Sequence, residues 1–138
     1  MRTLFIIPLV LMSLVSFPSW GLTMDDLVIR AGFYCEKFTA TPFTDEVDEG
    51  LYRGSLRNGK REGSWELYYR SGMLRSKGEF KNDELEGSWE SYWDLGQLRM
   101  KGDSKNGKRE GSWETYKSDG TVDEEGTGTF KNGVKVSD

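Results

Sequence analysis

Apolar and polar residues alternate over much of the chain beyond Gly50. Leu74, Ser76, Gly78 and Phe80 fall on one side of an extended segment, with Arg75, Lys77, Glu79 and Lys81 on the other. Ser88 to Trp93 is a second run, aromatic and free of Pro, that suits a strand. Between such runs stand Asn58-Gly59, Asn82-Asp83, Asn106-Gly107 and Asn132-Gly133. These pairs tolerate the positive φ of a tight hairpin turn. Because Gly63, Gly87 and Gly111 follow five residues after the Asn, loops over Asn58–Gly63, Asn82–Gly87 and Asn106–Gly111 are expected. Arg70-Ser71-Gly72, Asp94-Leu95-Gly96 and Ser118-Asp119-Gly120 mark the return turns. No segment beyond Gly50 keeps a helical period.

The pattern repeats every 24 residues. Gly63-Ser64-Trp65-Glu66 recurs as Gly87-Ser88-Trp89-Glu90 and Gly111-Ser112-Trp113-Glu114. Gly54, Gly78 and Gly102 keep the same step, as do Tyr68, Tyr92 and Tyr116. Gly128 to Gly133 echoes Gly78 to Asp83 after a two-residue slip, as a broken fourth copy. Each unit is a hairpin that buries its apolar residues against its neighbours. The expected fold is therefore all-β: an elongated antiparallel meander of tandem hairpins. Gly54, Gly78 and Gly102 leave bare backbone for an aromatic ring from the next strand, and Trp65, Trp89 and Trp113 supply one large core residue per repeat. Trp89 and Tyr92, three apart, point to opposite faces of a regular strand. Either both faces carry aromatics or a bulge brings them together.

The ends differ from the array. Residues 1–21 have a basic start at Arg2, an apolar stretch from Leu4 to Val15 and small residues at Ser19 and Gly21, the layout of a secretory signal peptide cut before Leu22. An uncleaved leader acting as a membrane anchor is the alternative, although the run is shorter than the roughly 20 residues a span needs. Residues 22–49 fit the repeat poorly and are expected to cap it. Met24 to Ile29 suits a short amphipathic helix, Phe33 to Phe43 is apolar, and the array begins near Val47. The repeat domain is 50–138.

Composition narrows the chemistry. The chain has 138 residues and a charge of −4, and loss of Arg2 with the leader makes it −5. An acidic chain gains little counterion-release energy from phosphates, so neither nucleic acid nor an anionic membrane is an expected partner. Cys35 is the single cysteine, so no internal disulfide forms, and it reads as a small core residue. With no histidine, imidazole acid–base chemistry, Ser-His-Asp systems and the usual zinc sites are excluded. Glu62, Glu66, Glu86, Glu90, Glu110 and Glu114 remain. Repetition gives them like environments, whereas a catalytic pair needs unlike ones, so they read as solvated charges. No catalytic residue, metal, cofactor or small-molecule substrate is expected.

The motif Gly-x-x-x-Asn-Gly-Lys-x-x-Gly-x-Trp-x-x-Tyr-x-x-x-Gly-x-Leu, from Gly54 to Leu74, resembles the MORN-repeat variant, a group that includes bacterial proteins labelled YwqK-type antitoxins. Asn82-Asp83-Glu84-Leu85-Glu86-Gly87 departs from it in lacking the turn Gly and the Lys-Arg pair. The resemblance implies a hairpin solenoid, an interaction role and no shared catalytic residues. Two functions follow as expectations. One is an exported, periplasmic or extracellular module that binds a protein of the cell envelope, in the manner of an antitoxin or immunity factor. The other is a glycan- or wall-binding module using a ladder of Trp and Tyr rings. For the first, Lys60, Arg61, Lys108 and Arg109, flanking the acidic turn at Asp83–Glu86, are candidate contacts along one edge, with Tyr68, Tyr92 and Tyr116 on a face.

Overall fold

The computed structural model describes residues 23–138, so the expected leader lies outside the described residues. Nine strands form one open antiparallel sheet in which every strand pairs with its neighbours in sequence. They are β3 (Asp45–Val47), β4 (Tyr52–Arg57), β5 (Lys60–Tyr68), β6 (Leu74–Lys81), β7 (Glu84–Tyr92), β8 (Leu98–Lys105), β9 (Lys108–Thr115), β10 (Gly128–Lys131) and β11 (Val134–Ser137). The expected meander is the observed one, and the broken fourth copy supplies β10 and β11.

The cap is a separate hairpin of β1 (Leu27–Arg30) and β2 (Phe33–Glu36). Where a short helix is expected, only one 3-10 turn forms, over Met24–Asp26, and Leu27 then enters a strand. Asp26 closes that turn by accepting the Thr23 N–H at 3.0 Å. Leu27 and Phe43 drive into a cluster with Val47, Leu56, Trp65 and Phe80. The hairpin therefore covers the tryptophan face at the amino-terminal end of the sheet. Cys35 is buried there as a free thiol.

The turns are tighter than the glycine spacing suggests. Arg57 pairs with Lys60, Lys81 with Glu84, and Lys105 with Lys108. Each hairpin therefore turns in two residues, both with positive φ: 48° and 70° at Asn58-Gly59, and 53° and 73° at Asn82-Asp83. That is the turn whose twist matches the flanking strands. The five-residue loops do not form. Gly63, Gly87 and Gly111 instead lie inside β5, β7 and β9 at positive φ, where the pairing skips. Arg53 pairs with Glu66 and Ser55 with Glu62, so Gly54 alone opposes three residues. This bulge folds the Trp65 ring back over Gly54, where a Cβ would stand 2.6 Å from Trp65 Cγ.

Trp65 is 1% exposed and Trp113 is 3% exposed, while Trp89 is half-buried with its ring edge-on to Phe80 at 6.4 Å. The Trp65 indole N–H donates to the Ser55 carbonyl at 3.1 Å and that of Trp113 to the Asp103 carbonyl at 2.7 Å. The polar end of each of these rings is thus satisfied as its apolar body is buried.

Candidate functional site

Strand alternation gives the sheet two chemically different faces. Tryptophans, Phe80 and Phe130 occupy one. On the other, a single row crosses six strands in register: Arg53, Glu66, Lys77, Glu90, Lys101 and Glu114. Charge alternates at every step. Lys77 Nζ lies 3.1 Å from Glu90, and Lys101 Nζ 3.2 Å from Glu114.

Beside this row the tyrosines repeat one interaction. Tyr68 donates its hydroxyl to Glu66 at 2.6 Å, Tyr92 to Glu90 at 2.5 Å and Tyr116 to Glu114 at 2.8 Å. Tyr and Glu two apart on a strand share a face, so Trp and Tyr lie on opposite faces; the question left open by their three-residue spacing is decided for two-sided aromatics. The Tyr92 hydroxyl and then Lys77 hold the Glu90 carboxyl below its ordinary range, and the Tyr116 hydroxyl and Lys101 do the same for Glu114. Each glutamate in turn pushes its tyrosine's pKa upward. Ser64 donates to Glu79 in the adjoining row.

The repeats are clasped at both ends. At the Asn turns, Glu62 accepts the Asn82 N–H at 2.9 Å, Glu86 that of Asn106 at 2.8 Å and Glu110 that of Asn132 at 2.9 Å. These three glutamates thus bind the next repeat's turn, a role that their reading as solvated charges missed. At the return turns, the Tyr69 hydroxyl donates to the Tyr92 carbonyl at 2.8 Å, and the Trp93 indole N–H to the Tyr116 carbonyl at 3.2 Å.

The arginines of the two basic pairs turn onto aromatic rings of the fold. Arg61 and Arg109 lie on the tryptophan face, since neighbours along a strand point to opposite sides. The Arg61 guanidinium stacks 4.0 Å over the Phe80 ring and binds Asp83 at 2.6 Å. Arg109 lies 4.5 Å over Trp113 and 5.1 Å over Phe130, and donates to the Gly126 carbonyl at 3.2 Å. Burial lowers the Arg109 pKa. Both arginines are engaged within the fold, whereas Lys108 is exposed and Lys60 sits half-buried 5.2 Å over the Phe33 ring.

Among the described residues, no three acidic or sulfur side chains converge as a metal site requires. A family model described as MORN repeat variant matches residues 61–82 and 85–106, each a pair of strands with its return turn. Residues 61–82 and 85–106 are thus similar to MORN-variant repeats, a type that generally serves as a non-catalytic module binding proteins or membranes. No curated protein matches the chain.

Proposed function

We propose that this chain is an exported, non-catalytic module that binds a protein of the cell envelope, with neutralisation of a toxin, as by an antitoxin or immunity factor, the most specific form of that role. The observation that carries it is the face bearing the charge row and the tyrosines. Clasps at both ends hold its side chains in place before any partner arrives, so association orders little chain and loses little entropy. Alternating charge favours discrimination among partners over raw affinity. Tyr68, Tyr92 and Tyr116 lie beside that row, with Lys108 exposed near the Asn turns and Lys60 half-buried beside its own turn. A standard interface takes about 800 Å² from each partner, within reach of two or three hairpins.

The glycan-binding alternative loses two of its six rings, because Trp65 and Trp113 are buried and unable to stack on a sugar. Fractionated cell envelope passed over the immobilised chain tests the proposal. A stoichiometric protein retained by the chain, and lost with Tyr68→Ala/Tyr92→Ala/Tyr116→Ala, supports it. Retention on insoluble peptidoglycan with no protein bound would overturn it.

A further inference from the structure

Arg75 and Arg99, one repeat apart, do not follow the alternation of their strands. Leu67 pairs with Ser76 and Tyr68 with Leu74, leaving Arg75 unpaired; Ser91 pairs with Met100 and Tyr92 with Leu98, leaving Arg99 unpaired. A bulged residue is re-aimed relative to its strand. Instead of joining Lys77 and Glu79 on the charged face, both arginines line a groove with Leu67, Ser76, Trp89 and Met100. This groove opens on the tryptophan face, beyond the region covered by the amino-terminal hairpin.

Three features give the groove its chemistry. The guanidiniums stack on aromatic rings of their own return turns, Arg75 at 5.8 Å from Tyr69 and Arg99 at 4.6 Å from Trp93. Among the described residues neither forms an ion pair, so their donors are free for an incoming anion. Ser91, at 8% exposure, also lines the groove, and its hydroxyl is buried without a hydrogen-bond partner. An unmet buried hydroxyl is unfavourable, and Ser91 sets one polar donor in the groove wall beside the two guanidiniums. The groove holds about 230 Å³, less than the roughly 300 Å³ at which pockets begin to enclose a small molecule. It suits one side of an extended chain.

We propose that this groove receives an acidic, extended segment of the protein partner, with two carboxylates three residues apart held by Arg75 and Arg99. This rests on the protein-binding reading above and adds, on the tryptophan face opposite the charge row, a second contact with the same partner. The arginines belong to β6 and β8, two strand spacings apart, or roughly 10 Å. A polyproline II segment rises about 9 Å in three residues and returns to the same face, so Glu-x-x-Glu presents its carboxylates at matching distance. Aromatic-lined grooves recognise such segments because their conformation is already ordered. Guanidinium forks bind carboxylates through paired hydrogen bonds.

The test is fluorescence anisotropy of the full chain with end-blocked, fluorescein-labelled peptides containing Glu-Pro-Pro-Glu or Gln-Pro-Pro-Gln. The glutamate probe should bind saturably and the glutamine probe should not. Arg75→Gln and Arg99→Gln should each weaken binding about tenfold or more, with thermal unfolding unchanged. Should either variant unfold, Arg75→Lys/Arg99→Lys retains charge without the stacked fork and should still weaken binding. Equal binding of both probes, or binding indifferent to both arginines, would overturn the proposal. So would arginine-dependent binding to phosphatidylglycerol vesicles without peptide binding, which would assign the groove to a membrane surface. If the chain retains an envelope protein but ignores the glutamate probe, the groove assignment falls and the protein-binding reading stands. If it binds the probe through both arginines but retains no envelope protein, the reverse holds.

Discussion

Replacing Gly102 by Ala should destabilise the protein, although the general tendency runs the other way. Gly in a strand is costly, and Ala at a compatible site usually stabilises by about 0.5–1 kcal/mol through the unfolded state. At Gly102 the new Cβ would lie 2.6 Å from Cγ and Cε2 of Trp113, about 1 Å inside ordinary carbon contact. The ring has nowhere to go. It is 3% exposed, carries the Arg109 guanidinium 4.5 Å away and is tied by its indole N–H to the Asp103 carbonyl. Overpacking of this kind costs about 1–3 kcal/mol, enough to reverse the sign of the backbone gain. Removing the ring by Trp113→Ala should itself cost about 3–5 kcal/mol. In that background Gly102→Ala should become neutral or mildly stabilising, since its obstacle is gone. Urea unfolding followed by circular dichroism on the four proteins of the cycle measures the coupling, read from midpoints at constant slope. A Gly102→Ala protein as stable as the parent would refute the ring-on-glycine account of the repeat.

Glu110→Ala should lower stability by about 1–2 kcal/mol, because the Asn132 N–H loses its charged acceptor; a thermal melt unchanged from the parent would remove the clasp. Glu90 and Glu114 have lowered carboxyl pKa values, so the stability they add is complete above the unfolded value of about 4.3 and is lost as pH falls through their folded values. Melting temperatures from pH 6 down to pH 2 should therefore fall less steeply in Tyr92→Phe/Tyr116→Phe, which lacks the main cause of the shift. Acrylamide should quench Trp113 far less than Trp89 in single-tryptophan variants, and equal quenching would contradict their unequal burial.

How far the chain could be read depended on whether a feature is local. The 24-residue period, the hairpins of the array, and one tryptophan over one glycine per repeat were all visible, because each is a short-range pattern repeated until chance is excluded. Bulges were not visible. Their signal, Gly63, Gly87 and Gly111, is present but ambiguous, since a positive-φ glycine suits a long loop and a strand bulge equally well. Arg75 and Arg99 also recur at the repeat spacing, yet alternation alone placed Arg75 on the charged face.

The sequence by itself determined the strands beyond Gly50, their order and the meander, since sequential hairpins admit few other arrangements. Only the tertiary structure decided what each side chain touches. Pairing register set the row from Arg53 to Glu114, because that row exists only when six strands lie side by side. It also turned Glu62, Glu86 and Glu110 from solvated charges into clasps and drew Arg61 and Arg109 onto aromatic rings. The physical reason is range. Backbone preference acts over a few residues, whereas a hydrogen bond across repeats joins positions 20 or more apart, brought together only by the folded sheet.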